Sequence, residues 1–135
     1  MPNRYISGLA IDPADPTGRT VYVGFNGFSR VWIEGPGAGL GHLWKTIDAG
    51  ATWTDVSGNL PDIPVNDVLL SAGRIYLATD LGVVTSGDGG ATWSRLGSNL
   101  PYTATLDIHR GPDGRLYAAT HGRGIWSIGE TSGKR

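Results

Sequence analysis

Three carboxylates in this 135-residue chain stand where acid–base chemistry is conceivable: Glu34 in a long glycine-rich stretch, Asp62 directly after Pro61, and Asp80 in a short Thr-Asp-Leu-Gly turn. Cleavage of a glycosidic bond usually needs two such groups, about 5 Å or roughly 6.5–9.5 Å apart, one as acid and the other as nucleophile or base. Near Glu34 lie Phe25, Phe28 and Trp32, whose rings can stack on the C–H face of a sugar, while Asn26, Arg30 and Glu34 can meet its hydroxyls. A second group, His121 and Arg123 in "HGRG", can hold a carboxylate or phosphate, because Gly122 and Gly124 permit close approach. Each reading has a plainer alternative. Trp32 and Ile33 can form a hairpin over an apolar patch, Asp62 beside its proline can serve a structural turn, and Arg123 can pair with Asp80 across neighbouring units. His42, His109 and His121 are dispersed over three segments, so neither a three-histidine metal site nor any cofactor is expected; "DPADPTG" could hold calcium only weakly.

The elements that must position these residues show themselves as a repeat. "TIDAGATW" (46–53) returns as "SGDGGATW" (86–93), and the match continues from "WTDVSGNLP" to "WSRLGSNLP" and from "GRIYLATDLGVV" to "GRLYAATHGRGIW". A degenerate copy opens the chain with "SGLAIDP", "GRTVYVG" and "HLWKT". A period of about 40 residues with several short strands per unit is the sequence sign of propeller blades. In the best-kept copy the alternation places strands at 66–70, 74–79, 82–86 and 92–96. The fold class expected is therefore all-β, with four-stranded antiparallel blades. One segment spans the chain: blade one over 5–58 with an insertion at 25–41, blade two over 62–98, a partial blade three over 102–128, and a tail at 129–135. That makes about 2.75 blades in an incomplete ring, so either a longer propeller or association between copies must cover the open ends.

In each repeated turn the aspartate can accept N–H bonds from its own loop, the glycines supply positive φ, and the tryptophan can pack beneath the next strand. The pattern Ser/Thr-x-Asp-x-Gly-x-x-Trp, carried here by Thr46, Asp48, Gly50 and Trp53 and by Ser86, Asp88, Gly90 and Trp93, resembles the Asp box (BNR repeat) of sialidase-type and sortilin-type propellers. Within that superfamily the chain looks most like bacterial repeats related to xyloglucan-hydrolysing glycosidases, whose last blade ends in a phrase like "ATHGRGIWSI". The resemblance implies that the box is a structural hairpin away from the active face, and that the protein works outside the cell or in the periplasm. It also implies a test for enzymes of this kind. The sialidase mechanism needs an arginine triad and a tyrosine nucleophile, and Arg30 and Arg123 are too few, while Tyr76 and Tyr117 fall inside strands. In xyloglucan-active relatives the catalytic aspartates come from two propellers facing a cleft, of which this chain supplies at most part of one.

Charge and hydropathy remove other classes. Eleven Lys and Arg against 12 Asp and Glu leave a net charge of −1 with no basic stripe, so nucleic acid is not an expected partner. No apolar run reaches membrane-spanning length, and there are no cysteines for disulfides or thiolate metal sites. The sequence thus reads as a non-catalytic propeller segment that recognises a carbohydrate or a protein. Two further readings stay open: a glycoside hydrolase fragment whose activity needs more blades, and an assembly scaffold akin to the propeller factors that help build photosystem II.

Overall fold

The computed structural model describes residues 1–29, 39 and 41–130, and every regular element in them is a β-strand. The first sheet runs in the order β1 (Ile6–Ile11), β2 (Val21–Phe25), β3 (Leu43–Thr46) and β4 (Thr54–Asp55). The second repeats that order with β5 (Val65–Ser71), β6 (Arg74–Thr79), β7 (Gly82–Ser86) and β8 (Ser94–Arg95). The third contains β9 (Thr105–Arg110), β10 (Arg115–Thr120) and β11 (Ile125–Gly129). All neighbours are antiparallel and sequential, as short turns dictate. Registers repeat as well: Thr46 lies opposite Val21 as Ser86 lies opposite Ile75.

The sheets stack through their first strands, β1 against β5 and β5 against β9. Close approach at the first junction requires glycine. A Cβ on Gly8 would lie 2.9 Å from the Asp67 Cα, and one on Gly24 would lie 2.6 Å from Val65 Cγ1. Between sheets one and two, Tyr22, Leu43, Val65, Val68, Ile75 and Leu77 form one apolar core with Trp93. Between sheets two and three, Tyr76, Val83, Leu100, Ile108, Leu116 and Ala118 form another. Both faces of the middle sheet are therefore buried, which is why Ile75 and Leu77 alternate with Tyr76 and Ala78 without a polar side. Each aliphatic side chain so buried contributes about 1.5–3 kcal/mol of transfer free energy.

Polar latches tie consecutive sheets near their inner strands. Ser7 Oγ donates to the Val65 carbonyl, and one register later Asn66 Nδ2 donates to the Thr105 carbonyl at 2.9 Å. Asp67 accepts from its own Val68 N–H at 2.9 Å and from the Ile108 N–H of the next sheet at 3.0 Å. Burial pushes the Asp67 carboxyl upward despite those bonds, and Asp107 beside it adds to the rise. At the outer end Glu130 receives Arg110 Nε at 2.7 Å and the Tyr76 hydroxyl at 3.3 Å.

The expected fourth strand at 92–96 is shorter than the alternation suggested. Only Ser94 and Arg95 pair with β7, because Thr92 is bound to Asp88 and the Trp93 backbone is taken by Asn59.

Candidate binding face

Antiparallel order sends alternate connections to opposite rims of the stack. One rim carries the repeated turns. There Asp48 Oδ1 accepts from the Thr46 hydroxyl at 2.8 Å and the Thr52 N–H at 2.8 Å, and Oδ2 from the Thr52 hydroxyl at 2.5 Å. Asp88 does the same with Ser86 and Thr92 at 2.7, 2.9 and 2.6 Å. The Thr52 and Thr92 bonds, helped by Thr46 and Ser86, lower both carboxyls to about 2. Gly50 and Gly90 stand at φ 93° and 97°, and each carbonyl accepts the indole N–H of Trp53 or Trp93 at 3.0 and 3.1 Å. Both aspartate carboxylates are thus engaged by groups of their own turns. On the same rim Asp12 and Asp15 close their own loop through the N–H groups of Ala14, Thr17 and Thr20.

The opposite rim gathers the β2–β3 loop, the β6–β7 and β10–β11 turns and the links between sheets, and it is where the sequence placed its candidates. Arg30, Trp32 and Glu34 lie outside the described residues. Phe25 is 2% exposed, so its ring is a core element and not a stacking surface; as the last residue of β2 it points inward. Phe28, three residues on, is 42% exposed.

Asp62 sits at this rim in a polar cluster. His42 Nε2 lies 2.7 Å from Asp62 Oδ1, the Ser29 N–H donates to the same oxygen at 2.8 Å, and Arg4 reaches His42 Nδ1 and the Gly41 carbonyl at 3.0 Å each. A guanidinium only donates, so Nδ1 is the acceptor and Nε2 carries the proton given to Asp62. Burial works to raise the Asp62 carboxyl, but the Ser29 and His42 bonds outweigh it and hold the group below its usual value. Asp80 is bound elsewhere, accepting from Asn66 Nδ2 at 3.0 Å, and Asn66 in turn accepts from Asn26 Nδ2 at 2.9 Å. The two aspartates are thus held by different partners in a hydrogen-bonded frame. Neither Tyr76 nor Tyr117 is free to act, since their hydroxyls bind Glu130 and Asp113.

Asp80 and Arg123 are not paired, contrary to one of the alternatives the sequence left open. Asp80 is taken by Asn66, and His121 and Arg123 lie exposed in the β10–β11 turn, where the Arg123 carbonyl accepts the Trp126 indole N–H at 2.9 Å.

A depression on this rim joins Asn26 and Phe28, which the sequence singled out, to residues it passed over. Asn3, Arg4, Tyr5, Asn26, Gly27 and Phe28 line it, and Tyr5 is 89% exposed at its edge. Tyr5 lies just before β1, outside the repeated phrases; its signal is an aromatic directly after an arginine at the mouth of the first strand.

The three stacked antiparallel sheets are β-propeller blades, as comparison with solved structures shows. The chain is similar to the GH74 xyloglucanase from Xanthomonas campestris, with a TM-score of 0.66 and 21% identity over 89% of this chain and 20% of that one. It is similar to an ancestral GH74 enzyme, with a TM-score of 0.63 and 22% identity over 87% of this chain and 17% of that one. YCF48 from Cyanidioschyzon merolae gives a TM-score of 0.63 and 20% identity over 99% of this chain and 36% of that one. The chain therefore spans well under half of each of these propeller proteins. No protein-family model and no curated protein matches it.

Proposed function

We propose that this chain is a non-catalytic segment of an Asp-box β-propeller, working outside the cell or in the periplasm, whose loop rim recognises a carbohydrate. The observation that carries the reading is the depression lined by the exposed Tyr5 and Phe28 with Asn3, Arg4 and Asn26, an aromatic and amide lining of the kind that meets sugar C–H faces and hydroxyls. The Asp-box assignment is supported by the matched hydrogen bonds of the two turns, which consume their aspartates internally. Binding without turnover is favoured because Asp62 and Asp80 are each engaged by structural partners. The test is calorimetric titration with glucan and xyloglucan oligosaccharides. Saturable binding that weakens about tenfold in Tyr5→Ala is expected, which corresponds to loss of one stacking contact. Silence across a glycan array would remove the carbohydrate reading and leave protein recognition.

A second reading, a piece of a glycoside hydrolase, is favoured by the likeness to two GH74 enzymes. It predicts hydrolysis only when further blades are supplied, and loss of that activity on replacing Glu34, Asp62 or Asp80. The likeness to YCF48 keeps the scaffold alternative in play, and a partnerless monomer would count against it.

A further inference from the structure

Of the five asparagines in this chain, one is followed by glycine: Asn26, with Gly27 after it. It stands where β2 ends and the rim loop begins, and its side chain is held at both of its polar atoms. The Gly27 N–H donates to Asn26 Oδ1 at 2.7 Å, while Asn26 Nδ2 donates to Asn66 Oδ1 of the second sheet at 2.9 Å. Asn66 carries the connection onward: its Nδ2 donates to Asp80 Oδ1 at 3.0 Å and to the Thr105 carbonyl of the third sheet at 2.9 Å. A row of amides thus joins the three blades, and its sense is fixed. Turning the Asn66 amide over would set its oxygen against the Asp80 carboxylate and the Thr105 carbonyl, two groups that only accept.

The same geometry exposes Asn26 to chemical change. A carbonyl bond of about 1.2 Å keeps its Cγ within about 4 Å of the Gly27 nitrogen, close to the separation from which an intramolecular attack proceeds. Gly27 stands at φ 79°, and even a Cβ built there would meet only Arg4 Cδ at 3.7 Å, so that nitrogen is uncrowded. Asn3, Asn59, Asn66 and Asn99 are followed by Arg, Leu, Asp and Leu, each of which places a side chain beside the corresponding nitrogen. Asn26 and Gly27 also line the rim depression, which is open to water. We infer that Asn26 and Gly27 form a self-modification site, where spontaneous deamidation sets a carboxylate into the amide row and uncouples the blades at the rim. The Gly27 nitrogen gives up its proton and bonds to Cγ, the Cγ–Nδ2 bond breaks, and the amide departs as ammonia with that proton. Water then opens the cyclic imide at either carbonyl, leaving an aspartate or an isoaspartate whose main chain runs through Cβ. The aspartate sets an acceptor against Asn66 Oδ1, which has no way to turn. The isoaspartate lengthens the chain by one carbon beside the Asn26 N–H that donates to the Tyr5 carbonyl at 2.9 Å. The site stands whether or not the depression holds a sugar.

The test is peptide mapping by mass spectrometry of the whole folded chain, held in mildly alkaline buffer and sampled over time, so that all five asparagines are scored together. Asn26 should convert about tenfold or more ahead of the other four, with both aspartate and isoaspartate formed. The consequence is read with Asn26→Asp and Asn26→Ala. Near neutrality the thermal midpoint of Asn26→Asp should lie below that of Asn26→Ala, because a charge opposed to Asn66 Oδ1 is worse than a missing donor. That difference should close as the pH falls toward ~4, where the new carboxyl takes up a proton and can donate again. On an Asn66→Ala background the two substitutions should behave alike, since the opposed oxygen is gone. Conversion of Asn26 at the pace of the other asparagines would overturn the proposal. So would midpoints of Asn26→Asp and Asn26→Ala that coincide at every pH, by showing that a carboxylate in the row leaves the blades coupled.

Discussion

Asp88 shows what a single residue does in this fold. Its two oxygens receive the Ser86 and Thr92 hydroxyls and the Thr92 N–H, and those bonds exist only while the group is an acceptor. They lower its carboxyl from 3.8 to about 2. A depressed folded value means that the unfolded chain takes up the proton first as the solution is acidified. The stabilisation is therefore complete above the unfolded value and drains away as the pH falls through the folded one. Asp48 repeats the arrangement, so the two turns fail together. We expect Asp88→Asn to lower the thermal midpoint near neutrality, with the gap to the parent closing between pH ~4 and ~2, where the native carboxyl also loses its charge. Thermal melts followed by circular dichroism across that range check this. A gap of constant size would show that the charge is immaterial and only the shape of the turn counts.

At the scale of elements, the link between blades matters as much as the strands. Trp93 is enclosed by two sheets, whereas Trp53, its counterpart in the first sheet, is only half-buried because no blade lies on its outer side among the described residues. Trp93→Ala should cost ~3–5 kcal/mol and Trp53→Ala distinctly less, as chemical denaturation would measure. Asn59→Ala should cost ~1–3 kcal/mol, since it strips two hydrogen bonds from a partly buried backbone. Equal losses at Trp53 and Trp93 would contradict the view that inter-blade burial, not the turn, gives the indole its value. The same elements show what could be read in advance. The 40-residue period yielded the sheets and the indoles that fold back on their turns, because both depend on local alternation and turn chemistry. The Asn59 clasp escaped, since its partner lies 34 residues away and an asparagine before Leu-Pro looks like ordinary loop material. Phe25 was misplaced for a related reason: an aromatic at a strand end reads the same whether it faces the core or the solvent. Tyr5 went unnoticed because it precedes the first repeated phrase, and no second copy drew attention to it.

At the scale of the molecule, the stack ends in surfaces of unequal character. In β1, Gly8 and Ala10 face the second sheet, so strand alternation turns Leu9 and Ile11 the other way, where they are 59% and 57% exposed. At the far end Leu106, 50% exposed, stands where Ser7 and Asn66 carry the polar latches of the preceding sheets. An apolar side chain in a latch position cannot continue the hydrogen-bonded series, so the far end favours close apolar contact over a specific polar one. Covering either end removes side chains from water at ~1.5–3 kcal/mol apiece when burial is complete, enough in sum to drive association. We therefore expect light scattering of the isolated chain to report a mass that rises with concentration. Leu9→Glu with Ile11→Glu should return it toward the monomer while leaving the thermal midpoint of the dilute protein unchanged, because neither side chain contributes to the two inter-sheet cores. A monomer at every concentration would mean that these faces are tolerated in water, and that the apolar ends of the stack carry no assembly function.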